Sequence, residues 1–349
     1  MNKIAIDSTS LASKRGSGFY TQRLFEALQQ INQKKFTFEL LNLKKTALNK
    51  IKQFDVIHYP YFDPFFLTLP LKKIKPTVVT VHDLIPLRFP EHFPSGFRGA
   101  LKWQFQRYSL KGSSALITDS DASRQDIINI TKIAAEKIHK IYLAGDSRFK
   151  PIGRVKAIEI IKRFVLPKKF ILYVGDLNWN KNIPGLLKSF SQTNPQKTNV
   201  HLIIVGKSFL KSKLSERKTM MNLIKNLKLS KYIHFLGYIQ TEVLNSLYNL
   251  ALCYCQPSFY EGFGLPVIEA MNCGCPVVCA DNSSLPEIAD GGAKLVDINS
   301  DSQLKDALLE FIFSEQQRNI FSQKGLIQAQ KFSWEKTALE TIKIYNSVL

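Results

Sequence analysis

Short, almost purely apolar runs alternate with longer stretches whose apolar residues recur at helical spacing. In the first half, the runs at 3–7, 36–41, 56–59, 77–81, 115–118 and 138–143 predict strands. Between the first two, 21–31 predicts a helix with Leu24, Phe25 and Leu28 on one face. The second half restarts the pattern, with strands expected at 170–175, 200–206, 233–237, 252–256, 276–280 and 293–296. Continuous apolar strands interleaved with helices belong to parallel sheets covered on both faces. The expected class is therefore α/β, with two doubly wound domains. A connector near 150–167, holding Pro151, Gly153 and Pro167 around a helix at 155–164, separates them. These signals predict an N-terminal domain over 1–165, a C-terminal domain over 166–330 and an amphipathic helix over 331–349.

A length of 349 residues suits two domains, and 45% apolar residues supply their cores. No apolar run reaches 18 residues, so no membrane-spanning helix is expected. The N-terminus enters a strand directly, without an apolar signal segment, and the expected location is the cytoplasm. All five cysteines fall between 253 and 279. Their Cys-x-Cys spacings suit strand and helix-cap positions better than zinc knuckles, and no metal site is expected. Charge is uneven. Residues 1–165 carry 28 Lys and Arg against 13 Asp and Glu, whereas 166–349 carry 20 against 15. A polyanionic partner would meet mainly the N-terminal half.

The chemistry concentrates in Q-P-S-F-Y-E-G-F-G-L-P-V-I-E-A-M-N-C-G-C-P-V-V-C-A, residues 256–280. A buried strand leads in, a Gly-Phe-Gly turn follows, and Leu265 opens a short helix that Gly274 closes. The backbone of Phe263, Gly264 and Leu265 lies where a helix N-terminus suits a phosphate. Glu261 precedes the turn and Glu269 sits one helical turn inside. Either both are surface carboxylates of an ordinary βαβ unit, or Glu269 meets a ribose and Glu261 meets what lies beyond the phosphates. The bracketing of a Gly-x-Gly helix start favours the second.

This stretch closely resembles the Glu-x7-Glu signature of family-4 retaining glycosyltransferases. The resemblance implies the GT-B architecture, two Rossmann-like domains facing a central cleft. It also implies sugar transfer from a nucleotide diphosphate sugar to an acceptor hydroxyl, with no cofactor and no divalent metal. In that family the first Glu lies beside the transferred sugar, the second binds the ribose, and the C-terminal domain holds the donor. Gly175-Asp-Leu-Asn-Trp-Asn-Lys181-Asn182 resembles the second donor motif, and Lys181 matches the lysine that neutralises the diphosphate. The family's arginine is missing, since Asp176 and Asn180 occupy its two usual positions, and Lys207 is a candidate substitute. Gly237 and Tyr238 resemble the base-contacting strand end.

In the N-terminal half, Gly16 and Gly18 in R-G-S-G-F-Y form either a tight strand-to-helix turn or a phosphate cradle. The resemblance favours the cradle. Thr21 stands where a dinucleotide fingerprint needs its third glycine, which disfavours NAD. His201 likewise disfavours a P-loop reading of Gly206-Lys207-Ser208. His82, at a strand's carboxyl end, is read as a site residue. The run V-H-D-L-I-P-L-R-F-P-E matches the family pattern, where this histidine contacts the sugar, and Asp83 fixes either its tautomer or the local loop. That run most resembles mannosyltransferases, which points to GDP-mannose. Phe97, Leu101, Phe105 and Tyr108 form a helical stripe flanked by Arg98, Lys102, Arg107 and Lys111. It is either a sheet-packing helix or one lying on anionic lipid.

The expected catalytic residues are Glu261, His82 and Lys181. The expected donor-binding residues are Gly16, Gly18, Gly175, Asn182, Gly237, Tyr238, Phe263, Gly264, Leu265 and Glu269. The expected acceptor is a saccharide or lipid-linked saccharide of envelope polysaccharide, with no nucleic acid. Two rivals are a catalytically silent nucleotide-sugar-binding protein and a basic nucleic-acid-binding protein.

Overall fold

The computed structural model of the chain describes residues 1–12, 16–31, 35–210, 215–300 and 302–349. In chain order the first elements are β1 (Asn2–Asp7), α1 (Gly16–Gln30), β2 (Phe36–Leu41), α2 (Leu48–Ile51), β3 (Val56–Tyr59), β4 (Thr77–Thr80), α3 (Ile85–Arg88), α4 (Gly96–Lys111), β5 (Ala115–Thr118), α5 (Asp121–Thr131) and β6 (Ile138–Lys140). Then come α6 (Arg154–Ile161), β7 (Phe170–Val174), α7 (Ile183–Gln192), α8 (Pro195–Thr198), β8 (His201–Val205), α9 (Ser215–Asn226), β9 (Ile233–Phe235), α10 (Thr241–Leu250) and β10 (Cys253–Gln256). The last are α11 (Leu265–Asn272), β11 (Val277–Ala280), α12 (Leu285–Ala289), β12 (Lys294–Val296), α13 (Gln303–Phe313), α14 (Glu315–Ala329) and α15 (Trp334–Val348).

The strands form two six-stranded sheets, ordered β2-β1-β3-β4-β5-β6 and β12-β11-β10-β7-β8-β9. Every recorded pairing is parallel. Helices cover both faces, so strands such as β3, β4, β5, β10 and β11 are buried at every position. This explains why their sequences run apolar without alternation.

Two compact units result, Met1–Ala144 with Phe332–Leu349, and Gly145–Lys331. The division precedes the connector expected near 150–167, because that connector is tied to the second unit. The Lys150 and Ile152 amides donate to Asn245 Oδ1 at 3.0 Å and Asn249 Oδ1 at 2.8 Å. The final helix belongs to the first unit. Trp334 packs edge-on against Phe19 at 5.8 Å, and the Thr337 hydroxyl donates to the Tyr142 carbonyl at 2.7 Å.

A buried polar chain fastens α15 to the first sheet. His58 on β3 is bonded through Nδ1 to the Tyr345 hydroxyl at 2.7 Å and through Nε2 to Thr80 Oγ1 at 2.8 Å. Tyr20 of α1 joins the same Thr80 at 3.1 Å. Burial, helped by nearby His82, lowers the His58 pKa to about 3. An unfolded chain takes up that proton below its ordinary value of 6.5, while the folded one refuses it until about pH 3. The contribution is therefore complete above pH 6.5 and is lost as pH falls, by about 1.4 kcal/mol per unit. Because other groups titrate in this range, the measurement is the stability difference between the wild type and His58→Gln across pH 4 to 7. We expect the wild type's advantage to shrink steadily with acidification. A constant difference would show that His58 is not held neutral.

Candidate functional site

In open α/β sheets, ligands collect beyond the carboxyl ends of strands where strand order reverses. In the second sheet that reversal lies between β7 and β10. The residues following these two strands carry Lys181 and Glu261.

Glu261 is 6% exposed and its carboxylate is heavily bonded. Lys181 Nζ donates to Oε1 at 2.8 Å and to Oε2 at 2.7 Å. Gln256 Nε2 and the Ser258 hydroxyl each donate to Oε1 at 2.6 Å. Gln256 is in turn oriented by the Tyr254 hydroxyl. Three donors converge on Oε1. Among the described residues Oε2 has only the lysine, which leaves it the oxygen with acceptor capacity to spare. The Glu261 amide donates to Ser283 Oγ at 3.0 Å, and Ser284 Oγ donates to the Glu261 and Phe263 carbonyls at 3.1 and 2.7 Å. These bonds fix the turn that launches α11.

Gly264 caps α11 at φ +115°, and a Cβ there would lie 2.9 Å from Leu285 Cδ2. Leu265 and Pro266 begin the helix. Gly274, at φ +69°, ends it with a reciprocal pair of bonds, Gly274 N–H to the Met271 carbonyl at 2.9 Å and Cys275 N–H to the Ala270 carbonyl at 3.0 Å. Glu269 sits part-exposed on this helix. Burial, then the negative charge of Asp146, pushes its carboxyl up to about 8, against smaller opposite pulls from the Tyr248 hydroxyl and Arg148. The shift favours the protonated carboxyl, which can donate as well as accept. Asp146, which grips Arg148 at 2.6 Å, supplies the neighbouring charge.

Gly175, Gly206 and Gly237 end β7, β8 and β9 side by side. Gly175 N–H donates to the Val205 carbonyl and Gly206 N–H to the Gly237 carbonyl, both at 3.0 Å. A Cβ at Gly206 would fall 1.9 Å from the Gly175 carbonyl oxygen, so only glycine fits. Tyr238 is exposed, with Lys207 Nζ 4.6 Å from its ring centroid. Asp176 accepts from Ser208 Oγ at 3.3 Å. Asn180 is buried and joins two loops: its side chain donates to the Tyr260 carbonyl at 3.0 Å, and its own carbonyl accepts from Phe259 N–H at 2.7 Å. Asn182 adopts φ +50° and caps α7, accepting from Gly185 N–H at 3.1 Å. All five cysteines are buried and free. Among the described residues, no group of three or more His, Cys, Asp or Glu could hold a metal ion.

His82, Gly16 and Gly18 lie in the first unit. The two glycines stand inside the first turn of α1, not in a turn before it, because the helix begins at Gly16 rather than near Thr21. The preceding residues 13–15, with the start of that motif, lie outside the described residues. His82 Nδ1 bonds Asp119 Oδ2 at 2.7 Å. Asp83 instead accepts the Ile85 N–H at 3.0 Å and so fixes the local loop. Burial favours the neutral His82 ring, but Asp119, Asp83 and the Pro60 carbonyl outweigh it and hold the imidazole above its ordinary value. His82 Nε2, Asp119 Oδ1 and Thr118 Oγ1 are all buried without a hydrogen-bond partner of normal geometry. Such a cluster of unmet polar atoms at two adjacent strand ends is suited to a polar ligand.

Gln256, Ser258 and Asp119 escaped the sequence reading. The first two lie in the same Q-P-S-F-Y-E run as Glu261. Asp119 had a signal in register alone: β4 and β5 pair Thr80 with Ile117, so two residues further on His82 faces Asp119.

A doubly wound pair of sheets, with a carboxylate and a lysine at a strand-order reversal beside a glycine-launched helix, defines a GT-B glycosyltransferase. The "Glycosyltransferase Family 4" description matches residues 18–147, and "Glycosyl transferases group 1" matches residues 156–327. O-antigen chain mannosyltransferase B of Escherichia coli is 32% identical over 292 residues, covering 83% of this chain and 75% of that protein. Sucrose-phosphate synthase from Thermosynechococcus elongatus superposes with a TM-score of 0.77 at 18% identity, over 100% of this chain and 99% of that one. HepE of Anabaena, in complex with UDP and glucose, gives 0.75 at 20% identity, over 99% and 100%. The chain belongs to the group-1, family-4 glycosyltransferases.

Proposed function

We propose that this glycosyltransferase moves a mannosyl group from GDP-mannose, with retained anomeric configuration, to a hydroxyl of a saccharide acceptor. The observation that carries the reading is the buried Lys181–Glu261 pair at the β7/β10 reversal, beside the N-terminus of α11. The bond from sugar C1 to the diphosphate oxygen breaks, and its electron pair stays on the diphosphate. The acceptor oxygen forms the new bond to C1 on the same face, and its proton passes to the departing phosphate oxygen. Lys181 and the α11 N-terminus oppose the negative charge that grows on the diphosphate. Glu261, through Oε2, opposes the positive charge that grows at C1.

Glu269 holds the ribose in this reading, and Tyr238 meets the base. His82, held by Asp119, offers Nε2 to a sugar hydroxyl. The reaction calls for neither a cofactor nor a divalent metal. Mannose is supported by the V-H-D-L-I-P-L-R-F-P-E run and by the similarity to O-antigen chain mannosyltransferase B. That similarity and the basic N-terminal half support a lipid-linked acceptor of envelope polysaccharide, reached at the cytoplasmic membrane face by a peripheral protein. No helix among the described residues is long and apolar enough to cross a membrane.

Thermal-shift screening of nucleotide sugars tests the donor. GDP-mannose should raise the melting temperature more than UDP-glucose or UDP-N-acetylglucosamine, and Glu269→Ala should abolish most of that rise. A larger shift with a UDP-sugar would replace the mannose assignment. No shift with any nucleotide sugar would remove the donor site.

A further inference from the structure

Helix α4 is built inside out. The side that meets the protein presents Gly99, Gln106, Ser109 and Leu110. Gln106 is bonded to the Asp63 carbonyl and Thr68, and Ser109 to the Pro70 carbonyl at 2.6 Å. The side that meets solvent presents Phe97, Leu101, Phe105 and Tyr108, with Phe97 85% and Tyr108 71% exposed. The neighbouring segment adds exposed Phe66, Leu67 and Leu71, and Lys102 Nζ lies 5.3 Å from the Phe66 ring centroid. Surface helices normally turn their apolar stripe inward. A contiguous apolar patch facing water marks an interaction surface.

Charge identifies the occupant. Residues 64–82 and 92–118 contain Lys72, Lys73, Lys75, Arg98, Lys102, Arg107 and Lys111, and neither segment contains an Asp or Glu. Lys73 is turned inward onto the Pro70 carbonyl and Ser109. Arg107 donates to the Thr131 carbonyl at 3.4 Å. Arg98 and Lys111 are exposed on the same helix as the aromatic stripe, Lys72 is exposed next to Leu71, and Lys102 lies against Phe66. Two copies of this chain joined through it would set cations against cations. Aromatic and aliphatic side chains ringed by unopposed Lys and Arg instead match the acyl boundary and headgroups of an anionic bilayer.

We infer that the outer face of α4, with Phe66, Leu67 and Leu71, is a membrane-docking surface that inserts into anionic lipid. The inference deepens the peripheral placement proposed above, yet draws nothing from the sugar chemistry. The test is co-sedimentation of the full chain with vesicles of phosphatidylcholine and phosphatidylglycerol in equal parts, and with phosphatidylcholine alone, at 0.15 M salt. Binding to the mixed vesicles should exceed binding to the neutral ones. Phe97→Ser with Leu101→Ser should cut it about a hundredfold, at about tenfold per apolar side chain withdrawn. The pair faces solvent, so the variant should keep its melting temperature and its stabilisation by nucleotide sugar. Equal binding by wild type and variant, or no binding to anionic vesicles, overturns the docking surface. So does a solution dimer that the variant dissociates. Vesicle binding without sugar transfer leaves the surface standing and removes only the functional reading.

Discussion

Glu261→Gln should lower kcat by about two to three orders of magnitude while leaving donor affinity unchanged or improved. The glutamine oxygen can still accept from Ser258 and Gln256, so the shell around it survives. The negative charge is lost, and with it the group that opposes positive charge on the sugar. Lys181 then faces an amide rather than a carboxylate and is released toward the diphosphate. The predicted signature is thus a split, with turnover falling and donor binding held or tightened. Single-turnover kinetics and calorimetric titration of the donor read the two halves separately. A folded variant with the wild-type rate would end the assignment of Glu261 to the reacting centre.

Lys181→Ala should act differently, by damaging stability as well as transfer. The substitution strands the Glu261 carboxylate in a buried position without its cation. Removing one partner of such a pair costs about 3 to 5 kcal/mol. The lower end is expected, because Gln256 and Ser258 still donate to Oε1. Combining it with Glu261→Gln removes the stranded charge, so the double variant should recover most of the lost stability while remaining inactive. Urea unfolding of the single and double variants measures this. If the single variant were as stable as wild type, the pair would not be the buried, mutually dependent unit described here.

Much of the framework is legible in the sequence alone. Strands such as β8 and β10 announce themselves because a sheet covered on both faces tolerates little polarity. The α11 signature was legible because a positive φ at Gly264, a proline in the first turn and a terminal Gly274 are local requirements written in consecutive residues. What depends on register or on facing was not. Asp119 reaches His82 through strand pairing, which no local pattern encodes, and proximity in sequence pointed to Asp83 instead. The α4 stripe shows the same limit. Periodicity reveals that Phe97, Leu101, Phe105 and Tyr108 share a side, but only the placement of Gln106 and Ser109 shows which side faces inward.

The buried Asn180 bears on any attempt to redesign this enzyme. It stands at one of the two positions where the donor motif that this stretch resembles places an arginine, and the natural engineering step would be to introduce that cation. Yet its amide and carbonyl tie the loop after β7 to the loop after β10, the two loops that deliver Lys181 and Glu261. An arginine there would gain a charge and lose the side-chain half of this link. Position 176, where the side chain holds only a weak bond to Ser208, is the more permissive place for an introduced cation. Designers seeking tighter donor capture should begin at 176 and leave 180 untouched.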